Sequence, residues 1–212
     1  MVKLFSSLKI AMVALFFSFC ISSIFCEDDG VGKGLYQTCM ACHGINAEGN
    51  IAFKSPNLSG INKWYFSSQI KKFQTGLRGT HAEDTAGKLM APMSLLLKTD
   101  KDIDAVFNYI QTIKKDTEPK PTLGGDAIKG KDLYTTCLAC HGDKGQGNEA
   151  IKSPSFKKQE DWYIFEQITK FKKDIRGYDA KDVEGKLMSP MAKILTNDTA
   201  IKDVAAYILT LK

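Results

Sequence analysis

The sequence predicts an all-α protein that consists of two tandem copies of one domain. A single offset of 98 residues, the separation of Cys39 and Cys137, aligns residues 32–114 with the second half of the chain without a gap. About half of the aligned positions are identical, which indicates a duplicated domain rather than a short solenoid repeat. Apolar residues recur at helical spacing in each copy, and no alternating strand pattern competes with them. We therefore expect domain 1 at residues 27–115, a linker at 116–128 and domain 2 at 129–212.

Residues 1–26 have the plan of a secretory signal peptide. Lys3 and Lys9 precede a long apolar run that begins at Ile10. No Ala-x-Ala cleavage site is present, and an uncleaved membrane anchor is the alternative, since the run is only a little shorter than the roughly 20 residues that span a bilayer. Cleavage after Cys26 would remove both cysteines that lie outside the repeated motifs. We expect export to the periplasm, with membrane association through this segment as the alternative.

The charge of the chain argues against a nucleic-acid partner. The formal net charge is +5, and it falls to +3 without Lys3 and Lys9 of the predicted signal. No basic stripe or interleaved aromatic platform is present.

Each copy contains three predicted helices, of which the first runs from Gly32 into Cys39 and the second covers residues 64–73. The third begins near Asp100, where Thr99 and Asp102 resemble a capping pair. Prolines at 119 and 121 prevent this helix from continuing into the second copy, which predicts a linker there. The last helix of each copy has an apolar face, formed by Ile103, Val106, Phe107, Ile110 and Ile113 and by Ile201, Val204, Ala205, Ile208 and Leu211.

The same five-residue motif ends the first helix of both copies. Residues 39–43 read Cys-Met-Ala-Cys-His, and residues 137–141 read Cys-Leu-Ala-Cys-His. Two thiols at this spacing can form thioether bonds to the two vinyl groups of one haem, while the following imidazole reaches the iron. A zinc site is disfavoured by the long separation of the two motifs. The sequence therefore predicts two covalently attached haem c groups, bound through Cys39, Cys42, Cys137 and Cys140, with His43 and His141 as axial ligands.

A pair of methionines in each copy supplies candidates for the sixth iron ligand. They belong to Met90-Ala-Pro-Met93 and Met188-Ser-Pro-Met191, which we expect to form an irregular stretch before the last helix. A thioether ligand raises the reduction potential of haem iron and leaves no open position, which suits electron transfer. We expect one methionine of each pair to bind iron and the other to pack against the porphyrin.

The tandem motifs, each followed by Met-x-Pro-Met and an amphipathic helix, resemble the dihaem cytochrome c4 family and its class I cytochrome c relatives. The resemblance implies two class I cytochrome c domains whose first and last helices cross and whose haem sites face each other. It also implies that the first methionine is the ligand, hence Met90 and Met188, with Met93 and Met191 as alternates. The implied function is a periplasmic carrier of single electrons from a quinol-oxidising membrane complex to a terminal oxidase or reductase, without enzymatic activity.

Other recurring residues have weaker functional assignments. Pro56 and Pro154 could each offer a carbonyl to the axial imidazole, or simply form a turn. Arg78 and Arg176 could pair with a haem propionate, or lie at solvated helix ends. His81 is expected at the surface, because Asp179 replaces it in the second copy.

Two other functions remain open at this stage. A dihaem enzyme, such as a peroxidase or thiosulfate dehydrogenase, would need an open or unusual sixth position at one haem. The chain could instead be the cytochrome subunit of a flavin-containing sulfide dehydrogenase, which requires the same two domains.

Overall fold

The computed structural model describes residues 28–113 and 118–211. They form eight α-helices and one short 3-10 helix, and within these ranges the only β-type pairing is two isolated bridges, Asn50 with Ser55 and Asn148 with Ser153. The predicted all-α fold is confirmed. The predicted signal segment, residues 1–26, lies outside the described residues. The helices are α1 (Asp28–His43), α2 (Lys63–Gln74), α3 (Thr85–Ser94), α4 (Asp100–Ile113), α5 (Ala127–His141), α6 (Asp161–Lys172), α7 (Val183–Lys193) and α8 (Asp198–Ile208).

The first and last helices of each domain cross at a glycine. Gly32 of α1 lies so close to α4 that an added Cβ would overlap the carbonyl oxygen of Ala105. Gly130 of α5 stands in the same relation to Asp203 of α8. Because glycine has no side chain, the two backbones of each pair can approach more closely than ordinary helix packing allows.

Each domain has its own apolar core beneath this crossing. The predicted face of α4 is buried at Ile103, Val106 and Ile110, and α8 repeats the pattern. Thr99 and Asp102 form the predicted capping pair, since each backbone N–H donates to the other residue's side chain, at 2.8 and 3.2 Å. The buried core residues shared by position in the two domains are Tyr36, Phe66, Ile70, Leu97, Ile103, Val106 and Ile110, and Tyr134, Ile164, Ile168, Leu195, Ile201, Val204 and Ile208.

The methionine segments are helical, and the prediction of an irregular stretch is wrong. Asp84 caps α3 by accepting a hydrogen bond from the Gly87 N–H at 3.0 Å, and Asp182 caps α7 in the same way through Gly185 at 3.1 Å. The proline that suggested irregular backbone lies near the end of each helix, at Pro92 and Pro190. There it removes a single hydrogen bond, which the cap and the packing of the helix outweigh.

The chain between the domains is held against domain 2. Asp161, at the start of α6, accepts hydrogen bonds from the Thr122 N–H at 2.6 Å, the Thr122 hydroxyl at 2.7 Å and the Leu123 N–H at 2.9 Å. Asp126 caps α5, and its own N–H donates to Asp203 at 2.7 Å. These contacts fix the direction in which the chain enters α5.

None of the helices described here combines the length and the hydropathy that a bilayer span requires.

The glycine crossing gives a direct test of the packing. Substitution of Gly32→Ala places a methyl group against the α4 backbone and should lower the free energy of unfolding by about 1–3 kcal/mol, the usual cost of overpacking. Gly34→Ala in the same helix meets nothing within 4 Å, so it should be neutral or stabilise by up to about 1 kcal/mol through helix propensity. Thermal unfolding of the two holoprotein variants would show the difference, and equal melting temperatures would contradict the close crossing.

Candidate haem sites

The two motif histidines are buried and held in the same way. His43 ends α1 and His141 ends α5. The Nδ1 atom of His43 lies 3.0 Å from the Pro56 carbonyl oxygen, and that of His141 lies 2.9 Å from the Pro154 carbonyl oxygen. A carbonyl can only accept, so Nδ1 carries the proton and Nε2 keeps its lone pair for a metal. Burial lowers the pKa of both imidazoles, which favours the neutral form that binds iron.

The four motif cysteines lie on the last turns of the same two helices. Within each pair the spacing of three residues places both thiols on one side of the helix. Cys39 and Cys137 pack against the two cores, and burial raises the pKa of both thiols, that of Cys39 to about 11. None of the four cysteines forms a disulfide, so both sulfurs of each motif are available for thioether attachment to haem. Among the described residues, no group of three His, Cys, Asp or Glu side chains could hold a metal ion without haem.

The two methionines of each pair differ in burial. Met90 packs against the core of domain 1, and Met188 packs against the core of domain 2. Met93 and Met191 retain 41% and 37% of their exposure. The first methionine of each pair is therefore the more enclosed of the two, which makes Met90 and Met188 better placed than Met93 and Met191 as candidate ligands.

One feature of the sites differs between the domains. The Phe156 ring stacks on the His141 imidazole, with centroids 4.2 Å apart and planes 23° from parallel. The 98-residue offset aligns Phe156 with Leu58, which has no aromatic face to stack on His43. The aligned repeats contained this difference, but the sequence did not show that position 156 touches the histidine.

Arg78 and Arg176 meet at the centre of the interface between the domains, and the alternative of solvated helix ends is wrong. Both side chains are buried. Arg78 donates to Gln69 at 2.9 Å and to Gln167 of domain 2 at 3.2 Å. Arg176 donates to Gln167 at 2.9 Å, to Gln69 of domain 1 at 2.9 Å and to the Tyr65 hydroxyl at 2.7 Å. Because the repeat supplies each partner twice, the cluster is nearly symmetric.

The rim of the interface carries further contacts. His81 packs edge-on against Tyr178 of domain 2, with centroids 5.5 Å apart, so it is a half-buried interface residue rather than a purely surface one. The Tyr178 hydroxyl hydrogen-bonds with Thr80. On another side the Ser155 N–H donates to Asn62 at 3.1 Å. The domains therefore pack through a polar interface with a buried centre.

Glu160 brings a carboxylate of domain 2 close to the first haem site. It contacts Asn57, which directly follows the Pro56 carbonyl that binds His43, while its Oε2 atom is buried without a hydrogen-bond partner. Burial raises the pKa of the Glu160 carboxyl to about 7. The neighbouring Gln159 side chain donates to the Asn57 carbonyl at 2.7 Å, which adds a second hydrogen bond between the domains at this place.

Comparison with known proteins agrees with this geometry. A model of the family described as Cytochrome c matches residues 31–114 and again residues 127–212. The chain is 33% identical over 132 residues to the Cbb3-type cytochrome c oxidase subunit FixP of Bradyrhizobium diazoefficiens, a match that covers 58% of this chain and only 43% of that subunit. It is 27% identical over 181 residues to a protein named thiosulfate dehydrogenase electron acceptor from Stutzerimonas stutzeri, which covers 81% of this chain and 77% of the relative.

A solved structure extends the likeness to the arrangement of both domains. Cytochrome c4 of Acidithiobacillus ferrooxidans superimposes with a TM-score of 0.65 and 26% sequence identity, over 82% of this chain and 99% of that structure.

The Glu160 carboxyl should make stability depend on pH. Its pKa is raised in the folded protein, so its contribution is fully present below the ordinary value of 4.5 and is lost as the pH rises through about 7. Between pH 5 and pH 8 the native protein should lose about 1 kcal/mol of unfolding free energy that Glu160→Gln does not lose, after allowance for solvent screening. Its melting temperature should therefore fall by about 2–4 °C more than that of the variant.

Glu149→Gln is the control, because Glu149 is exposed. Its melting curve should follow that of the native protein at every pH. The same pH dependence in Glu160→Gln and the native protein would show that Glu160 does not titrate in this range.

Proposed function

Because this chain belongs to the cytochrome c family and carries two covalently bound haem c groups, we propose that it passes single electrons between respiratory redox proteins in the periplasm. The observation that carries the proposal is the repeated set of candidate ligands, in which each domain offers a buried histidine held by a proline carbonyl and a methionine packed against the core of that domain. With both axial positions filled, neither iron has a place for a substrate. Bound haem supplies a one-electron ferric/ferrous couple, which is the chemistry that a carrier needs.

The protein residues have separate tasks in this proposal. Cys39, Cys42, Cys137 and Cys140 attach the haems, and the Pro56 and Pro154 carbonyls hold the axial imidazoles in one tautomer. Arg78 and Arg176 are proposed to face the propionates. The Nε atom of Arg78 supports this role, because it is buried and has no hydrogen-bond partner among the described residues.

The partners are proposed from the relatives. A quinol-oxidising membrane complex is the expected donor, and a terminal oxidase or reductase is the expected acceptor. Likeness to an oxidase subunit supports the acceptor, although the match spans less than half of that subunit. Export through residues 1–26 would place the protein beside both partners, free or held at the membrane by that segment.

A thiosulfate dehydrogenase is a second candidate donor. The relative named as its electron acceptor covers 81% of this chain, and this chain covers 77% of that relative, so the likeness includes both domains. In this case the chain remains a carrier, and the oxidation of thiosulfate takes place on the dehydrogenase.

The ligand assignment predicts a difference between neighbouring methionines. Met90→Leu and Met188→Leu should each remove about half of the weak methionine-to-iron charge-transfer band at the red end of the oxidised spectrum, since leucine keeps the volume but offers no sulfur. Met93→Leu and Met191→Leu are the matched controls and should leave the band unchanged. Loss of the band in the controls instead would assign the iron bonds to Met93 and Met191.

The carrier function predicts that the purified dihaem protein does not turn over substrates by itself. Thiosulfate alone should leave both haems oxidised, and hydrogen peroxide should not be consumed when a reduced donor is supplied. Catalytic amounts of a thiosulfate dehydrogenase should then reduce both haems in a stopped-flow experiment if that enzyme is the donor. Thiosulfate oxidation by the protein alone, or a high-spin signal from one iron, would favour an enzyme.

A further inference from the structure

Two buried ion pairs cross the interface between the domains in opposite directions. Lys72 of α2 reaches Asp182 of domain 2 at 2.5 Å, and Lys170 of α6 reaches Asp84 of domain 1 at 2.8 Å. All four side chains are almost completely buried, with 13% as the largest exposed fraction. We call these pairs the trans-domain clamps. They share no residue with the arginine and glutamine cluster, although Arg78 lies close enough to Asp84, and Arg176 to Asp182, for their charges to interact.

The aspartate of each clamp is also the residue that caps a methionine-bearing helix. Asp84 caps α3, and the Oδ1 atom that accepts from Gly87 also accepts from Lys170. Asp182 caps α7 by the same arrangement, with Oδ1 shared between Gly185 and Lys72. Each methionine lies six residues beyond its aspartate, at Met90 and Met188. A lysine of one domain is therefore hydrogen-bonded to the atom that anchors the methionine helix of the other.

The aspartates have little freedom to move. A Cβ added at Gly87 or Gly185 would overlap the capping carboxylate, so the carboxylate lies directly against the helix backbone. Burial opposes ionisation of Asp84, but the hydrogen bond and charge of Lys170 outweigh it and lower the pKa of the carboxyl. The ionised Asp84 then accepts one charge-assisted hydrogen bond from Lys170 and one from the Gly87 backbone N–H, which together hold the carboxylate in one position.

We propose that Lys170 positions Met90 and that Lys72 positions Met188, so that the iron–methionine bond in each domain is held by a lysine from the other domain. The inference rests on the ligand set of the proposed function. Among the described residues, no hydrogen bond or ion pair joins either lysine to a proposed axial ligand, and both act as positioning residues through the capped helix.

The two clamps are not equal. Lys72 also binds Glu184 at 2.7 Å, and Glu184 lies on the methionine helix itself. The residue of domain 1 that aligns with Glu184 is Ala86, which has no charge. The second carboxylate that Lys170 contacts is instead Glu166 of its own helix, at 3.5 Å. Helix α7 is thus held at two points and α3 at one. Met90 should therefore be the first of the two ligands to be displaced.

The test follows each iron–methionine bond separately. In the reduced protein the haem ring current shifts the ε-methyl proton signal of a bound methionine far upfield, and Met90→Leu and Met188→Leu assign the two signals. Lys170→Gln should weaken or broaden the Met90 signal and leave the Met188 signal in place. Lys72→Gln should do the reverse. Imidazole binding to the oxidised protein should accelerate about tenfold at the affected haem, the factor expected for loss of one charge-assisted hydrogen bond.

Three further variants separate positioning from general destabilisation. Lys170→Arg keeps the charge and should retain the Met90 signal. Lys170→Gln combined with Asp84→Asn removes the unpaired buried charge while asparagine still caps the helix, so it should fold and still show faster imidazole binding at the first haem. Lys71→Gln is the matched control, because Lys71 is exposed and pairs with Asp100 of its own domain. It should change neither signal.

Each other outcome overturns a stated part of the inference. If Lys170→Gln alters both signals equally or only Met188, the lysines hold the domains together without positioning the methionine of the other domain. If both signals survive in both lysine variants, the clamps do not position the ligands, although the proposed function stands. If the native protein shows no upfield methionine signal, the ligand set itself is wrong, and the proposed function fails with it.

Discussion

The crossing of the first and last helix in each domain is the constraint on which the haem sites depend. The helix that ends at the motif histidine is placed by its contact with the last helix, at Gly32 in domain 1 and Gly130 in domain 2. From that position His43 and His141 can reach the carbonyls that fix their tautomer. A larger residue at the crossing would tilt the helix and move the cysteines and the histidine together, because all three lie on its last turns.

The centre of the interface between the domains is built from charged and amide groups. Buried guanidinium groups need several acceptors, and the duplication supplies them, since Gln69 and Gln167 accept from both Arg78 and Arg176. A carboxylate of domain 2, Glu160, also reaches the loop that holds His43. The environment of the first haem site is therefore determined partly by residues of the second domain.

Much of the fold and the chemistry of the site could be predicted from local patterns. The helical face of α4, its capping pair and the haem motifs depend on residues within a few positions of one another, and periodicity and spacing record such relations directly. Pro92 led to the wrong prediction of irregular backbone, because the cost of a proline depends on where in a helix it falls and on the strength of the cap, here at Asp84. Contacts between domains could not be predicted, since no local pattern tells whether Arg78 faces water or shares its partners with Arg176 of the other domain.

The trans-domain clamps have a consequence for how such a chain can evolve. A single ancestral domain would have presented its capping aspartate to water, where it needs no cation. In the present chain Asp84 and Asp182 are buried against a lysine of the sister domain. Loss of Lys72 or Lys170 by substitution, with both copies still in place, would leave a buried carboxylate without its cation, which costs several kcal/mol. Each half of the gene therefore constrains the other, because a lysine that one copy encodes neutralises an aspartate that the other copy encodes.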